Sequence, residues 1–209
     1  GFTYLGQFID HDLTFDQTAT IPTDDLSVEE LVQGRTPSLD LDSLYGRGPD
    51  LEEKRIYAED KVHLRIGLTT PVESAPGQAN TLVALPNDLP RGDDPANGAI
   101  ATIGDPRNDE NLAVGQTHLA FLKFHNKVVD RLAATGLQGS ALFTAARRLV
   151  TLHYQWIVLH DFLPRLLDSA TLSDVLVKGR RFYQTNPNEE PTMPLEFSVA
   201  AYRLGHSMV

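Results

Sequence analysis

Four short stretches of the 209-residue chain concentrate side chains that can move protons, hold cations or ligate a metal. The first is Gly6-Gln7-Phe8-Ile9-Asp10-His11-Asp12. A histidine flanked by two aspartates has its charge and orientation open to tuning by its neighbours. On a helix, Gln7 and His11 stand four apart on one face and can point into one cavity. The competing reading is a solvated, polar helix end with a surface histidine. The second stretch, Thr36-Pro37-Ser38-Leu39-Asp40-Leu41-Asp42, alternates oxygen-bearing side chains with apolar or proline positions. In an extended loop Thr36, Ser38, Asp40 and Asp42 face one way. That set suits a hard, oxygen-seeking cation such as calcium. It lacks the glycine and terminal glutamate of an EF-hand loop, and an amphipathic edge strand or an Asx-turn leading to Tyr45-Gly46 has the same pattern.

The third stretch is Gly104-Asp105-Pro106-Arg107-Asn108-Asp109-Glu110-Asn111. Arg107 and Glu110 are three apart, so a helical first turn lets both reach one cavity. A permanently charged guanidinium suits stabilisation of developing negative charge. An acidic turn that satisfies orphan amides explains Asp109 and Glu110 equally well, but explains Arg107 poorly. The fourth is Ala201-Tyr202-Arg203-Leu204-Gly205-His206. A helix places Arg203 and His206 on one side, and Gly205 lets a flat ligand approach the backbone. Histidine is the usual axial ligand of haem iron in peroxidases and globins. A lone histidine here is otherwise structural.

These groups must be positioned by helices. Phe8, Ile9 and Leu13 fit one face of a short helix at the start. Residues 17–57 are loop-rich, with a modest helix expected at Ser27–Gln33, where Ser27 caps and Glu30 follows three later. Residues 69–111 hold many of the prolines and glycines, so they wrap over a helical core, with a short strand near Thr81–Leu85. Leu119, Leu122, His125, Val129 and Leu132 recur at three- and four-residue steps, which predicts one long helix over 112–134, ended by Gly136 and Gly139. A second runs from about Ser140 to Leu159 or beyond, with Leu142, Ala146, Leu149, Leu152, Trp156, Leu159 and Leu163 on its apolar side and Pro164 as its limit. A third begins near Leu195, after Pro191 and Pro194, and carries Phe197, Ala201 and Leu204. The class is mainly α, with long irregular loops, little β and one domain over 1–209.

Composition removes other chemistries. Lys and Arg number 18 against 28 Asp and Glu, a net charge of −10. That excludes nucleic-acid binding through a broad basic face and disfavours anionic membrane surfaces. With no cysteine, disulfides, thiolate zinc sites, iron–sulfur clusters and thiol nucleophiles are excluded. The longest charge-free stretch, Leu132–Ala146, is too short to span a bilayer. No charged-then-apolar leader is visible, and motifs at both extremities read as the catalytic core of something longer.

Together the four stretches, with Leu41-Asp42-Ser43-Leu44-Tyr45-Gly46 and His125-Asn126, resemble the animal-type haem peroxidases over essentially the whole chain. That family includes the myeloid and thyroid peroxidases, peroxidasin and bacterial relatives. The absence of cysteine, against the many of animal members, points to the bacterial side. The resemblance implies a haem peroxidase-type helical core, haem as cofactor and calcium as a structural ion. It implies that His11 is the distal histidine, Arg107 its catalytic partner, and Gln7 the glutamine that holds water or halide near the iron. Asp10 and Glu110 match the carboxylates that ester-link haem, so haem would be covalently attached. Asp12, Thr36, Ser38 (through its carbonyl), Asp40 and Asp42 match the calcium ligands. His206 matches the proximal iron ligand and Arg203 a haem-propionate partner. Asn111 departs from the pattern, standing where myeloid members carry a sulfonium-forming methionine; strong chloride oxidation is not expected. The implied activity is reduction of hydrogen peroxide with oxidation of a halide, pseudohalide or phenol, as in a response to oxidative stress, in a secreted or extracytoplasmic protein. Two alternatives share the scaffold: a fatty-acid dioxygenase or cyclooxygenase-type oxygenase, and a non-catalytic, calcium-stabilised binding module.

Overall fold

A computed structural model describes residues 1–18, 27, 31–51, 56–69, 84–92, 100–184 and 191–208, with side chains at the end described to residue 205. The element order is α1 (Phe2–Leu13), α2 (Asp42–Tyr45), a 3-10 turn (Pro106–Asp109), α3 (Leu112–Ala133), α4 (Gly139–Ile157), a π turn (Val158–Phe162), α5 (Leu163–Leu166) and α6 (Ser169–Lys178). A π turn at Phe197–Ala201 and a 3-10 stretch at Tyr202–Met208 follow. The mainly helical class expected from the sequence is what the structure has. Extended pairing among the described residues is limited to isolated bridges, such as Asp16 with Gln33 and Tyr57 with Leu64.

The core forms where α1, α3 and α4 meet. Phe8 of α1 stacks on Phe121 of α3 with ring centroids 5.1 Å apart, and both meet the ring of Tyr154 of α4 edge-on, at 6.1 and 5.6 Å. Such pairs contribute about 0.5–1.5 kcal/mol each beyond the apolar area they bury. Asn111 starts α3, its side-chain oxygen accepting from Ala113 N at 3.1 Å and Val114 N at 3.0 Å. An asparagine cap satisfies amides that have no partner within the helix.

Several expectations change. The apolar side of α4 was expected to include Leu149, Leu152 and Trp156, but those are exposed. The buried stripe is Leu142, Ala146, Val150 and Tyr154, with Phe143 beside it. Apolar residues occupy two faces of α4, and only steps of four keep one face against α1 and α3. Pro164 does not set the limit: α4 closes at Ile157, and helical winding continues through Pro164 to Leu166, since a proline in a first turn has no amide to satisfy. The chain widens into the π turn and restarts as α5 with Pro164 in its first turn. The segment from 195 is helical but is a π turn followed by a 3-10 stretch, pinned to α1 where Tyr202 donates its hydroxyl hydrogen to Gly6 O at 3.1 Å. Residues 31–33, the end of the helix expected at Ser27–Gln33, are not helical; Gln17 N donates to Val32 O at 2.8 Å in an antiparallel pairing. Most of the strand expected at Thr81–Leu85 lies outside the described residues. α6 was not anticipated, although Asp168 caps it by accepting from Thr171 N at 2.9 Å.

His125 and Asn126 tie the loop at 56–64 to α3. His125 lies between the Tyr45 hydroxyl at 3.0 Å and Val62 O at 2.9 Å. Asn126 accepts from Leu64 N at 2.8 Å and donates to Leu64 O at 2.7 Å, copying a strand partner.

Candidate active site

The second half of α1 is buried throughout, from Phe8 to Leu13, and it carries the polar trio Asp10, His11 and Asp12. Helical spacing places Gln7 one turn before His11. The His11 Nδ1 atom lies 2.8 Å from Asn108 Oδ1, and its Nε2 lies 3.8 Å from Glu110 Oε1. Gln7 donates its amide hydrogen to Glu110 Oε1 and accepts from Asn111 Nδ2 at 3.1 Å. Gln7, His11, Glu110 and Asn111 therefore converge where α1 meets the entry to α3. Burial lowers the His11 pKa, the Asn108 hydrogen bond opposes that, and the nearby Arg107 charge reinforces it. The imidazole is neutral at neutral pH, the state a proton acceptor requires.

Arg107 and Glu110 do not share one cavity as their spacing suggested. Pro106–Asp109 winds as a 3-10 turn, capped by Asp105. Glu110 leaves it toward Gln7, whereas Arg107 turns to the C-terminal end of α1. Its guanidinium meets Asp105 Oδ2 at 2.7 Å and the carbonyls of His11 at 3.0 Å and Thr14 at 2.6 Å. Arg107 and Arg35 both lie over the Phe15 ring, 4.7 and 5.2 Å from its centroid. Burial works to raise the Asp105 pKa, but hydrogen bonds and charge from Arg107 and Arg35 overcome it and hold Asp105 at about 2. A fixed carboxylate thus anchors both arginines behind the histidine. Asp109 is taken by Arg91, with contacts of 2.7 and 3.0 Å.

Beside His11, Asp12 points the other way. It accepts from Leu41 N at 3.2 Å, Ser43 N at 3.2 Å and the Ser43 hydroxyl at 2.9 Å. One oxygen from each of Asp12, Asp40 and Asp42 falls within 4.8 Å of the others. Leu41, between two of them, has φ +60°. A buried leucine there costs about 1–2 kcal/mol of backbone strain, and the kink lets both flanking aspartates turn to Asp12. Burial and then the neighbouring Asp42 drive Asp12 up to about 7; burial raises Asp42 to about 6 against the pull of Arg35. Asp42 Oδ1 is buried and makes no hydrogen bond among the described residues, with Arg35 Nε 3.7 Å away. Three crowded carboxylates with an orphaned oxygen fit an oxygen-seeking cation. Thr36 joins them by donating its amide to Asp42 Oδ2 at 3.3 Å, and Ser38 O accepts from Asp40 N at 2.7 Å.

The end of the chain reaches the same helix. Arg203 Nη1 lies 2.7 Å from Asp10 Oδ2, while the Thr14 hydroxyl donates to Asp10 Oδ1 at 3.0 Å. His206 lies on the Tyr202–Met208 stretch, and its side chain falls outside the described residues. Two residues of this neighbourhood were not singled out from the sequence. Asn108 and His118 are fully buried, and Asn108 Nδ2 lies 3.0 Å from His118 Nδ1. A buried histidine on the inward face of α3 was the available signal, since imidazole is rarely buried without a partner.

Comparison with known proteins identifies the family of the chain. The family model described as animal haem peroxidase matches residues 18–209. A peroxidasin homologue of Caenorhabditis elegans is 31% identical over 108 residues, 51% of this chain and 8% of that protein. Thyroid peroxidase of Canis lupus familiaris is 28% identical over 189 residues, 85% of this chain and 19% of that protein. Among solved structures, peroxidase A of Dictyostelium discoideum superposes with a TM-score of 0.62 at 16% identity, over 98% of this chain and 46% of that one. The chain thus spans less than half the length of these relatives, and the superposition shows the shared fold.

Proposed function

The chain belongs to the animal haem peroxidase family, which implies haem, and from that premise we propose that the protein is a haem-dependent peroxidase. It reduces hydrogen peroxide to water and oxidises a small donor, a halide, pseudohalide or phenol. The observation that carries this reading is the buried, neutral His11, with Nε2 turned toward the side where Gln7 and Glu110 converge. When bound, haem supplies the redox-active iron at which the peroxide O–O bond is broken.

The residues handle the protons. His11 Nε2 takes one from the near oxygen of hydrogen peroxide and returns it to the leaving oxygen, so that water departs. Arg107 is the fixed cation of the site, held by Asp105 and favouring the neutral imidazole. Gln7 orders the small molecules beside His11. Asp10 and Glu110 are the carboxylates that would be available for ester links to haem, Arg203 would pair with a propionate, and His206 would ligate the iron. Asp12, Asp40 and Asp42, with Thr36 and the Ser38 carbonyl, hold calcium. Held there, an ion would fix Asp12, the residue next to His11, and through it the imidazole. No helix among the described residues is long and apolar enough to cross a membrane, and a secreted or extracytoplasmic setting matches the family reading. The test is a peroxidase assay on the haem-supplied protein with iodide, thiocyanate and a phenol. Turnover that depends on His11 is expected; turnover equal to that of His11→Ala would overturn the assignment.

A further inference from the structure

We propose that Asn108 is a positioning residue that sets the tautomer of His11 through a hydrogen-bonded triad with His118. The proposal rests on reading His11 as the peroxide base. Asn108 stands between two imidazoles, Oδ1 2.8 Å from His11 Nδ1 and Nδ2 3.0 Å from His118 Nδ1. All three side chains are buried, Asn108 and His118 completely. The amide cannot wander, because it belongs to the 3-10 turn and its backbone amide donates to Asp105 O at 3.1 Å.

A carboxamide accepts at one end and donates at the other, whereas a neutral imidazole carries one hydrogen on one of two nitrogens. Only two arrangements of the triad are therefore hydrogen-bonded throughout, and in each the two histidines carry their hydrogens on different nitrogens. In the arrangement present here, His11 donates from Nδ1 to Asn108 Oδ1, which leaves Nε2 bare. Asn108 Nδ2 donates to His118 Nδ1, so His118 holds its hydrogen on Nε2, a buried atom with no hydrogen-bond partner among the described residues. In the reversed arrangement His11 would carry its hydrogen on Nε2 and could not accept a proton there. The orientation of one amide thus decides whether His11 works as a base. His118 must stay neutral for this, because an imidazolium has no lone pair to accept the amide. Complete burial provides that, pushing the His118 pKa down to about 4.

The test uses protein labelled with 15N in its histidine rings, at a pH where both imidazoles are neutral, with and without haem. Ring 15N shifts should report His11 protonated on Nδ1 and His118 on Nε2. Asn108→Leu removes both contacts; His11 should then move toward the Nε2-protonated form, and kcat/KM for hydrogen peroxide should fall ~10–100-fold, as for other residues that orient a ligand or base. The loss should fall on the peroxide step and not on oxidation of the donor. Asn108→Asp offers His11 an acceptor but His118 no donor. It should keep His11 on Nδ1, move the His118 hydrogen to Nδ1 and recover most of the peroxide reactivity. A wild-type His11 protonated on Nε2, or tautomers unchanged in Asn108→Leu, overturns the proposal. Expected tautomers in a protein without peroxidase activity would leave the triad standing and remove the functional reading instead.

Discussion

His11 and Asp12 are neighbours in the chain and almost equally hidden from water, yet burial has opposite consequences for them. Burial favours the neutral imidazole, the form that accepts a proton, and so suits His11 to the role proposed for it. A carboxylate loses hydration and, crowded by Asp42, is driven up to about 7 in Asp12. One residue is finished by the fold, and the other is left asking for a cation. Replacing His11 with Gln should lower the rate of reaction with peroxide ~10²–10⁴-fold, the usual worth of a general base; stopped-flow mixing measures it, and an unchanged rate would exclude His11 from proton transfer. Calcium should raise the melting temperature of the wild type above its value in chelator, while Asp12→Asn should melt at the same temperature in both. At a concentration ~100 times its dissociation constant, such a ligand stabilises by ~2.7 kcal/mol. A wild type indifferent to chelation would remove the ion from the account.

The elements that hold these residues differ in how plainly the sequence displays them. α3 was legible because its apolar positions keep a helical period and Asn111 is a strong cap. The stripe of α4 was misread because two of its faces are apolar, and sequence cannot tell which one the neighbours cover. Close approaches are equally invisible. A Cβ built on Gly104 would lie 2.5 Å from Ser43 O, so the segment entering the 3-10 turn touches α2 through backbone alone. Gly104→Ala should cost about 1–3 kcal/mol, as overpacking does, read as a lower midpoint in denaturant unfolding; wild-type stability would mean that α2 yields freely. The loop at 56–64 is also pinned by charge, His63 lying 2.5 Å from Asp60 and 3.3 Å from Asp130 of α3. Partial burial works to lower the His63 pKa, but both carboxylates outweigh it and raise it. Because the folded pKa lies above the unfolded value, this contribution is complete below about 6.5 and is lost as pH rises through the folded value. The melting-temperature gap between wild type and His63→Gln should be largest in mild acid and shrink as pH rises through the folded value; a gap independent of pH would show that the histidine acts only through packing.

At the scale of the whole molecule, three helices bring together groups that are far apart in the chain. Asp10 and Arg203 pair across 193 positions and His11 and Asn108 across 97. The helical class that joins the two ends was legible from residue type and spacing. The pairing of Asn108 with two histidines was not, because it depends on how the 3-10 turn faces α1 and α3. Nor was the direction of Arg107, which spacing grouped with Glu110 and the structure turns to Asp105. We propose that this assembly is a haem site in which His11 receives the proton of peroxide. It is tested most directly by the Soret absorbance of the full-length, haem-supplied protein, followed as hydrogen peroxide is added, in wild type and His11→Ala. A Soret band is expected in both, and a rapid peroxide-induced shift only in the wild type. Absence of the band, or an equally fast shift without His11, would contradict it.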